Sequence, residues 1–233
     1  MKKGLLLILM ISLFIFTGCK RYDTIEEYSV AMKEVRTRLN SYTIEAEVSD
    51  NGNSTYYKGY ISGQNWKTEE LTNDKKTYYK GILYDGKEVW TYTNTKTSAV
   101  QVPFRLMLAM QGIGSHQNSD MIMKIINPLG VLVNWSLSEY TGEVNEDAWD
   151  FAGMKNFNGF RCRMIENMNN EDSVCVSDRY GIAVYAKIKG KDNNYTEYNV
   201  KSISNRALSP QDMDLPEGIK KISISGIFQD LLR

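Results

Sequence analysis

The stretch GILYDGKEVWTYT, residues 81–93, decides the fold. Strand-forming apolar, aromatic and β-branched residues lie on both sides of an Asp-Gly pair, and this combination is typical of two antiparallel strands joined by a tight turn. With Asp85 and Gly86 as the two turn residues, Ile82 would lie opposite Val89. The pattern therefore predicts a β-hairpin and, with it, an antiparallel sheet.

A two-residue period, in which apolar and polar residues alternate, occurs over 42–49. Asn51-Gly52 supplies a second turn of this kind, and Pro103 interrupts the strand pattern. Strands are predicted at 42–49, 55–61, 66–71, 139–143, 160–166, 173–177, 183–189 and 197–204.

Helices are predicted before and within this run of strands. The sequence TIEE at 24–27 is a capping box followed by apolar residues at three- and four-residue spacing, which predicts a helix over 24–40. Two short helices are predicted within 104–133, where the apolar pattern is broken by glycines and closed by Asn127-Pro128. This order predicts an α+β fold: one helix packed on a long antiparallel sheet that has a short helical insertion.

The first residues have the features of an export signal. Lys2 and Lys3 precede a predominantly apolar run over 5–16, and small residues then lead to Cys19. The run is shorter than the roughly 20 residues that a transmembrane helix needs. The sequence FTGC at 16–19 resembles the lipobox of prokaryotic lipoproteins, in which the cysteine is lipidated. An ordinary signal peptide that contains a cysteine is the alternative.

This interpretation divides the chain into a lipoprotein signal peptide (1–18), a lipidated tether (19–23) and a single domain (24–233). We expect a protein that is exported to the cell envelope and anchored to a membrane through lipid on Cys19. Lys plus Arg and Asp plus Glu each number 28, and no segment has the excess of basic charge that a nucleic-acid-binding face needs. No nucleic-acid partner is expected.

Four motifs follow one another in an order that is similar to a known superfamily: LYDGKEVWTYT, FNGFRC, SDRYGIAVY and DLPEGIKKI. With the N-terminal helix and the helical insertion, they resemble the LolA/LolB/LppX-like half-barrel superfamily. That superfamily includes the periplasmic carrier of lipoprotein sorting, its outer-membrane receptor and mycobacterial lipid-binding lipoproteins. The resemblance covers most of residues 24–222. It implies a curved antiparallel β-sheet, or half-barrel, wrapped around the helix, with an apolar cavity for acyl chains or hydrophobic peptides.

The other two cysteines predict a disulfide, which is typical of exported proteins. Cys162 and Cys175 flank a predicted hairpin, and a two-residue turn at Met168-Asn169 would place them opposite each other. The predicted register makes them a non-hydrogen-bonded pair. Facing Cα atoms in such a pair are about 4.5 Å apart, at the short end of disulfide geometry. Two reduced cysteines are the alternative.

The sequence does not favour an enzyme. His116 is the only histidine, which removes most Ser-His-Asp and Cys-His mechanisms, and no hydrolase, zinc-peptidase, Walker or dinucleotide motif occurs. The enzymatic alternative is acid/base catalysis by a pair chosen from four carboxylates that lie close together in sequence. A solvated loop is the preferred interpretation of these residues. Those carboxylates are Glu143, Glu146, Asp147 and Asp150. No cofactor and no metal are predicted.

Hydrophobic residues in and near the helical insertion are the candidate ligand-binding residues. Methionine adapts to irregular apolar ligands, and the same side chains also fill ordinary cores, so both interpretations stay open. The candidates are Trp66, Trp90, Tyr92, Phe104, Leu106, Met107, Met110, Met121 and Met123.

The sequence thus predicts a non-enzymatic, membrane-anchored lipoprotein that binds a hydrophobic ligand as a carrier or receptor. The expected ligand is a lipid or the acyl chains of a lipoprotein. One alternative is an envelope-stress or signalling sensor of the same fold, whose partner would be a membrane protein. Another is a structural interaction lipoprotein without a cavity.

Overall fold

Twelve strands form one open sheet in the residues that this computed structural model describes, 22–102, 127–133, 148–190 and 194–223. The strands are β1 (Ser41–Asp50), β2 (Asn53–Ser62), β3 (Asn65–Leu71), β4 (Tyr78–Tyr84), β5 (Val89–Thr93), β6 (Ser98–Val102), β7 (Trp149–Phe157), β8 (Phe160–Asn167), β9 (Ser173–Ser177), β10 (Ile182–Lys189), β11 (Tyr195–Ser204) and β12 (Lys220–Ile222). Their order across the sheet is β12-β6-β5-β4-β3-β2-β1-β11-β10-β9-β8-β7. Neighbouring strands are antiparallel, except that β12 pairs parallel with β6.

Three short or medium helices accompany the sheet in the described ranges: α1 (Ile25–Thr37), α2 (Gly130–Val133) and α3 (Pro210–Met213). The predicted fold class is confirmed, because the sheet is a curved, unclosed half-barrel with few helices. Of the predicted helical insertion, the structure describes only 127–133, which contains α2. None of the helices in the described ranges has the length and apolar character of a membrane span.

Helix α1 begins where the capping box predicts. The Thr24 side chain accepts a hydrogen bond from the Glu27 N–H at 3.1 Å and so satisfies one of the unpaired donors of the first turn. The Glu27 carboxylate accepts from the N–H of Asp23, one residue before the N-cap. The helix ends at Thr37, earlier than predicted, and Asn40 adopts a left-handed φ of 53° as the chain turns into β1.

The sheet has two faces, and each strand contributes alternate residues to both. We call the face against which α1 packs the inner face; it contains Ile44, Trp66 and Val176. The opposite, outer face contains Leu83 and Trp90. The larger core cluster includes the inner face and the buried residues of α1, and a smaller cluster lies on the outer face.

Helix α1 covers one half of the inner face. The Tyr28 hydroxyl donates to the Val176 carbonyl oxygen at 3.2 Å and to Asp178 Oδ1 at 2.5 Å. Gly181, in the turn between β9 and β10, has φ +63°, and a Cβ there would lie 2.1 Å from the Met32 carbonyl oxygen. The glycine therefore allows the helix backbone to lie directly on this turn.

Residues 127–133 cover the inner face beside α1. The Arg36 guanidinium of α1 donates to the Val133 carbonyl oxygen. Leu129 is fully buried, and a Cβ at Gly59 of β2 would lie 3.0 Å from its Cδ1. The missing side chain at Gly59 thus leaves the space that this segment fills.

The hairpin at 81–93 forms with a register different from the predicted one. Ile82 lies opposite Thr91 rather than Val89, because four residues connect β4 to β5. Of the Asp-Gly pair only Gly86 has a positive φ, 88°. The Asp85 carboxylate instead accepts two backbone N–H groups of the loop, which stabilises the wider connection.

The cysteine-containing hairpin also has a longer loop than predicted. The Asn167 N–H donates to the Asp172 carbonyl oxygen, so four residues form the loop, and Cys175 lies opposite Met164. The prediction of a two-residue turn at Met168-Asn169 is therefore wrong. Cys162 lies on the same face of β8 as Met164, and it forms a disulfide with Cys175 across a Cα–Cα distance of 5.4 Å. The predicted disulfide is confirmed.

Strand β7 was not predicted, although its turn has a recognisable sequence. Asn158 and Gly159 have φ of 50° and 85° and join β7 to β8, as an Asn-Gly pair does in a two-residue hairpin. The strand predicted at 139–143 lies outside the described residues.

Candidate functional site

The structure separates the candidate ligand-binding residues that it describes. Trp66 is fully buried on the inner face, with its ring centroid 5.9 Å from that of Tyr84. Trp90 and Tyr92 are buried on the outer face, because they alternate along β5 with Val89, which faces inward. Trp66 and this pair therefore do not line one cavity. The remaining candidates lie outside the described residues: Phe104, Leu106, Met107, Met110, Met121 and Met123.

The inner face around Trp66 combines apolar packing with a few polar groups. Thr68 lies two residues from Trp66 on the same face of β3, and its hydroxyl donates to Asn127 Oδ1 at 2.9 Å. The same oxygen accepts the Leu129 N–H, also at 2.9 Å. Trp66 Nε1 and Asn127 Nδ2 are both buried, and neither has a hydrogen-bond acceptor in the structure.

Sequence reasoning missed Thr68 and Asn127 as members of this site. Asn127-Pro128 was interpreted only as the end of a helical pattern. An Asn before Pro also favours a local turn in which the Asn side chain accepts a nearby backbone N–H, and the structure contains that contact to Leu129. Nothing local indicates that Thr68, distant in sequence, would donate to the same oxygen.

On the outer face, Asp85 links the β4–β5 loop to the C-terminal strand. It accepts the Trp90 indole N–H at 3.0 Å, and Lys221 Nζ lies 2.6 Å from the same oxygen, Oδ2. Burial would raise the pKa of Asp85, but hydrogen bonds from Lys221, the Glu88 N–H and Trp90 outweigh it and hold that pKa below its usual value.

A buried ionic cluster lies nearby under the C-terminal strap, which we define as residues 205–223. Lys67 Nζ lies 3.7 Å from Glu69 Oε1, and the Tyr92 hydroxyl donates to that oxygen at 3.0 Å. Lys67 also donates to the Asp214 carbonyl oxygen of the strap at 3.2 Å. Burial lowers the pKa of Lys67, and burial together with the Glu69 charge raises the pKa of Tyr92. These contacts hold the strap on β3.

The N-terminal end of the described chain is held by aromatic and cationic contacts. The rings of Tyr22 and Tyr28 meet edge-on with centroids 5.0 Å apart. The Arg163 guanidinium of β8 lies 5.7 Å from the Tyr22 ring centroid and 5.2 Å from that of Tyr28. The chain is thus fixed to the sheet from Tyr22 onward.

Little in the described residues resembles catalytic machinery. They contain no group of three or more His, Cys, Asp or Glu residues that could hold a metal ion. Asp150 accepts the N–H of its neighbour Phe151. The other three candidate carboxylates, Glu143, Glu146 and Asp147, lie outside the described residues, as does His116, so the carboxylate pair stays an untested alternative.

Comparison with known proteins finds likeness in structure alone. No protein-family model and no curated protein matches the sequence. An uncharacterized conserved protein from Thermus thermophilus has a similar solved structure: 8% of residues are identical, 84% of this chain and 99% of that chain are covered, and the TM-score is 0.51. This likeness shows a shared fold.

Two further solved structures belong to the predicted superfamily. The lipoprotein LppX of Mycobacterium tuberculosis is 10% identical, with 78% of this chain and 98% of that chain covered and a TM-score of 0.41. A LolA superfamily protein of Nitrosomonas europaea is 9% identical, with 83% and 99% covered and a TM-score of 0.36. The similarity to these two structures is one of fold alone. The predicted resemblance is confirmed for the fold, and identities this low extend it no further.

Proposed function

We propose that this protein is a membrane-anchored lipoprotein of the cell envelope that binds a hydrophobic ligand, as a carrier or receptor. The ligand would be a lipid or the acyl chains of a lipoprotein. The supporting observation is the inner face of the open sheet. Helix α1 covers the half around β9 and β10, whereas the buried apolar side chains of Trp66, Tyr84 and Val89 line the other half. An unclosed sheet can admit a ligand between these side chains and the segments that bury them.

The proposed anchor is Cys19, which would be lipidated and become the first residue of the mature protein once residues 1–18 are removed. Because Tyr22 already packs on Tyr28, only a few residues would separate the lipid from the folded sheet. The disulfide between Cys162 and Cys175 supports export to an oxidising compartment. Replacement of Cys19 by Ser should abolish the incorporation of labelled fatty acid, and unchanged incorporation would refute lipidation at this residue.

The proposed ligand wall combines Trp66 with the hydrophobic residues of the insertion: Phe104, Leu106, Met107, Met110, Met121 and Met123. Trp90 and Tyr92 lie on the face of the sheet opposite Trp66, and we assign them to the support of the sheet from the outer face. In this proposal the protein is not an enzyme and needs no cofactor.

A double substitution in the insertion tests the proposal. We expect Met107→Glu with Met110→Glu to abolish co-purification of lipid, measured by mass spectrometry, while the cooperative melt is retained. A cavity wall tolerates a carboxylate beside water, whereas a closed core does not. Met168→Glu is the matched control, because Met168 is 68% exposed in the β8–β9 loop; it should keep the wild-type lipid ratio.

Three outcomes would count against this function. A folded double variant with the wild-type lipid ratio would refute the proposed site. A double variant that loses its cooperative melt would assign these methionines to the core. Wild-type protein that carries no lipid and instead co-purifies with a membrane protein would favour the sensor alternative.

A further inference from the structure

Two buried N–H donors without acceptors lie at the inner face of the sheet. Trp66 Nε1 and Asn127 Nδ2 each have essentially no solvent-exposed surface and no hydrogen-bond partner. Trp66 is 0% exposed and Asn127 is 4% exposed. Buried polar groups are nearly always hydrogen-bonded, so two unpaired donors in one region need an explanation.

The orientation of the Asn127 amide is fixed by its surroundings. Its oxygen accepts from both the Leu129 N–H and the Thr68 hydroxyl. Rotating the amide by 180° would place its NH₂ group against the Leu129 N–H, and two donors would face each other. The unpaired atom is therefore the nitrogen.

Thr68 connects the two donors. It contacts Asn127 directly, and it lies two residues from Trp66 on the inner face of β3. Leu129 and Tyr84 supply apolar surroundings for the pair. Because an unpaired donor in apolar surroundings is energetically costly, a hydrogen bond from it to a ligand acceptor would stabilise the complex.

The nearby charges favour a neutral acceptor. Lys67 and Glu69 alternate with Trp66 and Thr68 along β3, so they point to the outer face, where they pair with each other. Farther along the inner face, Glu70 pairs with Lys80 at 2.9 Å. Lys67 and Lys80, the cations of these two pairs, are therefore already neutralised and leave no free charge on β3 or β4 beside the donors for a phosphate or carboxylate.

We propose that Trp66 Nε1 and Asn127 Nδ2 bind the ester or amide carbonyl oxygens at the head of an acylated ligand. This inference rests on the proposed function, because it specifies which part of the hydrophobic ligand the inner face recognises. The apolar wall binds the chains, and the two donors distinguish an acyl group, which has a carbonyl, from an alkyl group, which has none. Ether oxygens are much weaker acceptors than carbonyl oxygens, so the site selects acyl lipids.

The experiment compares two probes that differ only in the carbonyl groups. Dimyristoylglycerol and its dialkyl ether analogue are titrated against the full chain in mild detergent. We expect the wild-type protein to bind the ester about threefold to tenfold more tightly than the ether. This is the change in affinity that one neutral hydrogen bond provides.

Two variants remove the donors separately. Trp66→Phe removes the indole N–H and keeps an aromatic ring, and Asn127→Asp keeps the oxygen that Leu129 and Thr68 need while replacing the NH₂ group. Each should weaken ester binding by roughly threefold to tenfold and leave ether binding unchanged. Trp90→Phe is the control, because the Trp90 indole N–H is bonded to Asp85 on the outer face; it should preserve the preference for the ester.

The indole N–H resonance of Trp66, assigned through Trp66→Phe, provides a second readout. It should shift when the ester is added and stay in place when the ether is added. Equal binding of both probes by all proteins would overturn this inference and leave the proposed function intact. Failure of the wild-type protein to bind either probe would overturn both.

Discussion

Substitution of Gly181 by Ala provides a direct test of how α1 packs on the sheet. Gly181 has φ +63°, a conformation that costs an L-residue about 1 to 2 kcal/mol. The new Cβ would also lie 2.1 Å from the Met32 carbonyl oxygen and 2.8 Å from the Arg36 nitrogen, far inside ordinary contact. Both atoms belong to the backbone of α1, so the helix must move by roughly 1 Å.

The expected cost has two parts. Overpacking of a filled core costs typically about 1 to 3 kcal/mol, which adds to the backbone strain. We therefore expect Gly181→Ala to lower the free energy of unfolding by about 2 to 5 kcal/mol. The movement should also loosen α1, because Tyr28 and Met32 are the residues that bury it.

Gly63→Ala is the matched control. Gly63 has φ +57°, close to that of Gly181, but nothing lies within 4 Å of the position of its Cβ. This variant should lose only the strain of about 1 to 2 kcal/mol. Urea unfolding measures both values, and limited proteolysis within α1 should increase only in Gly181→Ala. Equal losses of stability in the two variants would refute the close packing of α1 on the β9–β10 turn.

Two further predictions concern the disulfide and the buried tyrosines. Replacement of Cys162 and Cys175 by Ser should lower the urea-unfolding free energy by about 3 kcal/mol, the chain-entropy value for a loop of this length; an unchanged value would contradict it. Burial raises the pKa of Tyr28 and Tyr92 above 10 in the folded state. Above pH 10 the unfolded chain therefore loses these protons first, and stability should fall by up to about 1.4 kcal/mol per pH unit for each tyrosine. The lowered pKa of Lys67 acts in the opposite direction, but only below about pH 10.5. Urea midpoints that stay constant from pH 10 to 11.5 would contradict the burial of both tyrosines.

The sequence predicted most strands of the sheet but not the register of its hairpins. In both hairpins with a predicted register the loop has four residues where two were expected. Asp85 shows the reason: its carboxylate accepts two backbone N–H groups and stabilises a wider loop than the Asp-Gly pair indicates. Each error shifts the register by two residues, and such a shift preserves the face of every side chain. Cys162 and Cys175 therefore still meet.

The faces of distant strands were harder to predict. Along β5, alternation alone separates Trp90 and Tyr92 from Val89. Relating Trp66 to them also requires the pairing of β3 with β4, whose connection is long and whose pairing includes a register shift. Aromatic composition therefore grouped three residues that the sheet places on opposite faces.

Strand β3 shows most clearly why a strand sequence does not reveal its surroundings. Its alternation of Trp66 and Thr68 with Lys67 and Glu69 is the pattern of a strand with one buried face and one face in water. The structure instead buries both faces, because the C-terminal strap covers Lys67 and Glu69 and brings the Asp214 carbonyl to the lysine. On the inner face, Asn127, which is distant in sequence, accepts a hydrogen bond from Thr68 and has no acceptor for its own Nδ2. Both surroundings come from segments far away in sequence. The charged pair has its partners within the described fold, whereas no acceptor is found for the two neutral donors, and this difference is the reason for proposing that the inner face recognises the ligand.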